Sequence, residues 1–220
     1  MLIMARKNLK KIRIKKLLVG IDEAGRGPLA GPVAVGIMVV PKNIEHRVFN
    51  ILTEGISIGK KGKYKDSKKL TEKKREEAFR EIKKLTKKGV LKYAVLFGSV
   101  NEIDEKGISR SIALVIERGL KKINLNPKNT EIRLDGSLKA PKEYTNQKTI
   151  IKGDEKELVI ALASIVAKVE RDRLMIRLAR KYPNYYLEIH KGYGTENHRN
   201  SIRKFGLSKV HRKSFCKNIF

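Results

Sequence analysis

The chain has 220 residues, 40% of them hydrophobic, which is enough to bury one sizeable core and lies within the span of a single domain. Its 51 Lys+Arg against 23 Asp+Glu leave a formal net charge of +28, far beyond what folding requires, and point to a polyanionic partner, nucleic acid first. No apolar run is long enough to span a membrane, the leading MLIM is too short for a signal-peptide core, and the lone Cys216 excludes an intramolecular disulfide and a thiolate zinc cluster.

A soluble, monomeric protein in a reducing cytoplasmic setting is therefore expected. Solvated surface lysine from a coding or growth-temperature bias is the competing account of the charge. An anionic membrane surface would need a sustained basic amphipathic helix, and none is visible.

Residues 1–16 are strongly basic with no acidic residue and read as a solvated arm or a lead-in to the first strand. The run LLVGI from Leu17 breaks at Asp22, Glu23 and Ala24-Gly25, and a second apolar run from Val33 to Val40 ends at Pro41. Two short buried strands joined by a glycine-rich turn are predicted. A polar Gly/Lys-rich loop follows from Glu54 to Lys65. A helix then starts at Thr71, with Ala78, Ile82 and Leu85 at helical spacing and Gly89 beyond its end.

Val90 to Val100 reads as a strand. Apolar residues at 108, 112, 115, 116, 120 and 123 predict an amphipathic helix over 103–123, about six turns long. Glu131 to Leu134 and Lys148 to Ile151 return as strands. Leu158, Leu162, Ile165, Val166 and Val169 form the stripe of a long helix that Pro183 ends. Thr195 caps a last short helix with Ile202 and Phe205 on one face and Gly206 at its stop. Strands first, then strand and helix alternating, predict an α/β fold on a mixed sheet. Residues 17–220 are taken as one domain behind the arm 1–16.

In an acid-poor chain, carboxylates at the ends of apolar strands need a reason, because desolvating a charge is costly. Asp22 and Glu23 follow LLVGI directly, Asp135 follows IRL, and Asp154 stands between TIIKG and the long helix. Singly each has a plain role: a turn opener, an Asp-Gly turn, and a cap in which Asp154 and Glu157 form a capping-box variant. Jointly, strand ends at one sheet edge can gather them, and bound divalent cations then relieve their repulsion best. Oxygen ligands favour magnesium or manganese, and a paired-metal site can drive in-line phosphoryl displacement. His46, His190, His198 and His211 lack zincin or finger spacing and read as surface or phosphate-contacting groups.

The string GIDEAGRGPLAGPVAVG from Gly20 to Gly36 resembles the opening of ribonuclease HII, bacterial type. DSKKL at Asp66 to Leu70, LDGS at Leu134 to Ser137, KGD with ASIVAKVERDRLM within Lys152 to Met175, and HKGYGTENH at His190 to His198 follow in that family's order. HRKSF at His211 to Phe215 closes it, so the likeness spans roughly Leu17 to Phe220.

The resemblance implies an RNase H-like mixed sheet flanked by helices with a small C-terminal helical region. It implies an Mn²⁺- or Mg²⁺-dependent endoribonuclease that acts on RNA–DNA hybrids and on duplex DNA carrying a ribonucleotide. The metal-binding acids map onto Asp22, Glu23, Asp135 and Asp154, and Asp172 is left structural. Gly25, Arg26 and Gly27 match the turn that reads the ribose 2′-hydroxyl, and Tyr193 the tyrosine at the ribonucleotide junction. Ser67, Lys68 and Lys69 match a phosphate-contacting loop, and Lys168 and Arg171, one helical turn apart, suit a grip on the backbone. Two other classes fit the composition: an RNase H-like nuclease of DNA junctions, and a basic nucleic-acid-binding protein without chemistry.

Overall fold

The computed structural model describes residues 16–56, 59–60, 63–64, 67 and 69–219. The N-terminal arm, apart from Lys16, lies outside the described residues, as do Asp66 and Lys68. The chain runs through β1 (Leu17–Ala24), β2 (Val33–Pro41), α1 (Glu45–Ile56), β3 (Gly59–Lys60), β4 (Lys63–Tyr64), α2 (Glu72–Lys87) and β5 (Lys92–Gly98). It continues through α3 (Val100–Lys106), α4 (Ile108–Ile123), β6 (Thr130–Asp135), β7 (Gln147–Ile150), α5 (Gly153–Lys156), α6 (Leu158–Lys181), α7 (Leu187–His190) and α8 (Glu196–Phe205). No helix among the described residues is long and apolar enough to cross a membrane.

Five strands form a mixed sheet in the order β5-β2-β1-β6-β7. Strand β2 pairs antiparallel with β1 and β5, whereas β6 runs parallel to β1 and β7 parallel to β6. The central strands are apolar on both faces because both faces are covered. Leu18, Met38 and Val40 face the helices α1, α2 and α6, and Val19, Ile21, Val35 and Ile37 face α4 and Ile103.

Helix α6 approaches the sheet unusually closely. A Cβ at Gly20 or Gly36 would overlap the carbonyls of Val159 and Ala163, so these two glycines form the trough in which the helix lies. A third cluster, with Leu29, Met175, Tyr185, Leu187, Ile202 and Cys216, joins the β1–β2 connection to the C-terminal helices.

The expected helix over 103–123 is two helices. Ser99 caps α3, accepting from Glu102 N at 3.1 Å, and Gly107 ends it at φ +77, a value that favours glycine, before α4 begins. The apolar stripe from 108 to 123 is real, but Ile103 packs from a separate element, and Val100 starts α3 instead of ending a strand. Helix α1 was not anticipated and runs into the segment expected to be a loop from Glu54. The capping-box reading of Asp154 and Glu157 also fails. Asp154 lies inside the single turn α5, and Glu157 precedes α6 without a side-chain cap because its carboxylate pairs with Arg133. Phe205 does not share the burial of Ile202 and is 46% exposed.

Candidate active site

Three parallel strands end at one edge of the sheet. The β1–β6 register pairs Ile21 with Leu134, so the next residue on each strand is an aspartate, Asp22 and Asp135. The β6–β7 register pairs Asp135 with Ile150, after which the chain turns through Lys152, at φ +54, into α5 and Asp154. Gly153 N donates to Asp135 Oδ1 at 2.6 Å, which fastens that turn to the end of β6.

Asp22 is only 5% exposed and belongs to the face covered by α6, where the Ser164 hydroxyl favours its charged form. Its carboxyl is held well above the usual range, first by burial and then by the charges of Glu23 and Asp135. The Glu23 amide donates to Asp22 Oδ1 at 2.7 Å, while the Glu23 side chain, one residue on, pairs with Arg26 at 3.3 Å. The donors are all hard oxygens, and the repulsion felt by Asp22 is what a divalent cation would relieve, so the residues fit such an ion in kind. Among the described residues no three His, Cys, Asp or Glu side chains stand close enough together to hold one unaided.

Beside the carboxylates lies the turn Gly25-Arg26-Gly27, with Gly25 at φ +89 and Arg26 and Gly27 exposed. Arg26 Nη2 donates to Ser109 Oγ at 3.0 Å, across a cavity of about 160 Å³ lined also by Ile112, Ser137 and Lys139. Tyr193, 41% exposed, projects from the segment that follows α7. The carbonyl of Gly192 accepts from Leu29 N at 2.8 Å and Ala30 N at 3.3 Å, so this segment is clipped to the β1–β2 connection.

A profile of the family described as ribonuclease HII matches residues 19–218, and the ribonuclease HII of Caldicellulosiruptor bescii is 40% identical over 204 residues, covering 93% of this chain and 88% of that protein. The chain belongs to the ribonuclease HII family. It is thus a ribonuclease H, a hydrolase. The fold agrees: the ribonuclease H2 from Pyrococcus horikoshii OT3 matches with TM-score 0.69 at 26% identity, covering 92% of this chain and 96% of that one. An Archaeoglobus fulgidus RNase HII, solved in complex with PCNA, gives TM-score 0.67 at 27% identity, covering 90% and 94%.

Against that family background, the remaining sequence candidates fall in different places. Ser67 is 2% exposed and bonds Ser164 Oγ at 2.7 Å, so it stands behind Asp22 and is not a surface contact. Lys69 is an exposed cation paired with Glu155 at 2.6 Å, next to Asp154. Lys168 is largely buried and paired with Asp172 at 2.7 Å, which bears out the structural reading of Asp172. Arg171 departs from expectation: it is 1% exposed, and its guanidinium serves the carbonyls of Ala30, Pro32 and Lys191, so it does not face a nucleic-acid backbone.

Three of the four histidines are also not where expected. His190, His198 and His211 are buried, with the rings of His190 and His198 stacked at 4.4 Å and His198 Nε2 lying 3.1 Å from His211 Nε2. The bonding settles one neutral arrangement. Ser208 N donates to His211 Nδ1, His211 Nε2 donates to His198 Nε2, and His198 Nδ1 donates to the Tyr193 carbonyl at 2.9 Å. Burial pushes His198 and His211 down to about 4, in keeping with neutral rings. Ser164 and Arg212 were missed as site-supporting residues, although both lie in the quoted segments ASIVAKVERDRLM and HRKSF.

Proposed function

We propose that the chain cuts the RNA strand of RNA–DNA hybrids and duplex DNA on the 5′ side of a single embedded ribonucleotide, leaving 3′-hydroxyl and 5′-phosphate ends. The observation that carries this reading is the shared sheet edge at which β1, β6 and β7 end, where buried Asp22 lies in the field of Glu23 and Asp135 and Asp154 follows the adjoining turn.

Asp22, Glu23, Asp135 and Asp154 would hold one or two Mg²⁺ or Mn²⁺ ions. When bound, these supply positive charge at the scissile phosphate and lower the pKa of a coordinated water. The Glu23 and Gly153 amides keep Asp22 and Asp135 in place. Gly25, Arg26 and Gly27 contact the 2′-hydroxyl, which alone distinguishes ribose from deoxyribose, and Tyr193 packs at the junction. Lys68 and Lys69 supply phosphate contacts, while Ser67, bonded to Ser164, and Lys168, paired with Asp172, support the site from within. Specificity then rests on sugar chemistry and duplex shape, and cutting is independent of base sequence.

The net charge of +28 supports strong, salt-dependent attraction to the duplex. We take residues 17–220 as one catalytic domain and the arm 1–16 as a general tether. A monomer in a reducing cytoplasm suits the single cysteine, which is buried with its thiol pushed up to about 11.

The test is incubation of the purified protein with an RNA–DNA hybrid, a DNA duplex bearing one ribonucleotide, a four-way DNA junction and an all-DNA duplex. Each is run with Mg²⁺, Mn²⁺ or chelator. Metal-dependent cutting of the first two alone supports the proposal; cutting only of the junction identifies a junction nuclease, and binding without cutting a non-enzymatic binder.

A further inference from the structure

Arg171 on α6 and Arg212 in the C-terminal segment are 1% and 0% exposed. Burying a cation is costly unless it is paired, and neither guanidinium forms a direct ion pair among the described residues, Asp172 and Asp104 acting on them only through space. Their hydrogen bonds all go to main-chain carbonyls. Arg212 donates to Gly25 at 2.7 Å, Arg26 at 2.9 Å and Gly31 at 2.9 Å, and Arg171 to Ala30 at 3.3 Å, Pro32 at 3.0 Å and Lys191 at 3.1 Å. Five of those six acceptors belong to the β1–β2 connection.

The two arginines therefore determine which way the turn faces. A Cβ at Gly25 would overlap the Arg171 guanidinium, so the glycine is required by this packing as well as by its φ of +89. With the carbonyls of Gly25 and Arg26 drawn inward, the exposed edge carries amides. Neither Arg26 N–H nor Gly27 N–H donates to a protein acceptor among the described residues. Burial and mutual repulsion pull Arg212 down to about 9, which still leaves it charged at neutral pH.

We propose that Arg171 and Arg212 are specificity-determining positioning residues: they hold the Gly25–Gly27 turn amide-outward and place two buried positive charges behind it, neither in a direct ion pair, so that the turn is answered by a ribose 2′-oxygen but not by deoxyribose. This rests on the reading of the turn as the 2′-hydroxyl contact. The physical reason is that outward amides polarised from behind are costly to cover with a sugar that offers no acceptor. A lysine cannot substitute, because a single ammonium lacks the planar fork that reaches three carbonyls in different directions.

Cleavage of a duplex carrying one ribonucleotide is measured for Arg212→Lys, Arg171→Lys and Gly27→Ala, beside binding of an all-DNA duplex and thermal melting. No atom lies within 4 Å of a Cβ built at Gly27, so Gly27→Ala changes only the exposed edge and tests the turn by itself. Each arginine variant is expected to melt cooperatively and to bind all-DNA within about twofold of the unaltered protein. Its kcat/KM at the ribonucleotide falls about ten- to hundredfold, the cost of misplacing one or two hydrogen bonds.

Arginine variants that cut normally while Gly27→Ala is impaired overturn the clamp and leave the turn reading standing. A Gly27→Ala protein that cuts normally overturns the turn reading, and the clamp with it. Arginine variants that lose cooperative melting and all-DNA binding together with cleavage show the two residues to be scaffold and likewise overturn the proposal.

Discussion

Gly153 N and Asp135 Oδ1 are joined at 2.6 Å, a bond that couples the end of β6 to the turn bearing Asp154. Asparagine at 135 keeps that acceptor and removes the charge. Asp135→Asn should therefore fold normally and bind an RNA–DNA hybrid with little change, while cleavage falls by at least about 10²–10³-fold, as when one charge-stabilising group is lost. Gel-shift and single-turnover assays on the same preparation check it, and full activity would remove Asp135 from the chemistry.

Asp22 offers the opposite trade between stability and activity. Its carboxyl is raised by burial and by its acidic neighbours, so in metal-free protein the charged form strains the fold at neutral pH. The sign is that of a raised acid: stability is greatest below the unfolded pKa and is lost as pH rises through the folded one. Asp22→Asn should abolish cleavage yet raise the melting temperature in chelator, by roughly 2–4 °C for each kcal/mol relieved in a chain of this size. A lower melting temperature for the variant at pH 7.5 counts against this account.

Packing of α6 against the sheet depends on Gly20 and Gly36. A methyl at Gly20 meets the Val159 carbonyl, which is backbone and cannot step aside. Gly20→Ala is expected to cost about 1–3 kcal/mol, the range for overpacking a filled core, and to reduce cleavage by shifting Ser164 away from Asp22. Urea unfolding provides the measurement; a variant as stable as the parent would mean that the helix accommodates the methyl.

The histidine cluster gives a stability profile with a defined window. His198 and His211 titrate near 4 when folded, whereas free histidine titrates near 6.5, so the unfolded chain binds protons first as pH falls. Their contribution is complete above about 6.5 and is lost between there and about 4. His190, lowered in the same direction, adds to it. Melting temperature should drop across this interval, and His198→Gln should flatten the drop. An unchanged slope in that variant would show that other groups carry it.

Much of the sheet and of the acid set was legible because local pattern and chemistry coincide there. Apolar runs that stop at a carboxylate mark strand ends, and Asp22, Glu23 and Asp135 lie at the strand ends read from the sequence alone. Helix α1 was not legible, since its amphipathic pattern overlaps the Gly/Lys-rich stretch after it. The break at Gly107 was hidden by apolar spacing that continues across it. Lys168 and Arg171 share a helical face as expected, but helical spacing does not reveal whether that face meets solvent or protein. Arg171 meets the β1–β2 connection.

What the amino-acid order determined by itself was element type, the excess of positive charge, and the acids at the ends of apolar runs, because these depend on neighbours a few residues apart. What only the tertiary structure decided was partnership across long separations. Arg212 reaches the Gly25 carbonyl from 187 residues away, and Ser67 meets Ser164 from 97 away. Whether a basic or polar side chain touches nucleic acid or braces the site depends on which carbonyls and hydroxyls the fold brings to it. Residue type alone is equally compatible with both roles.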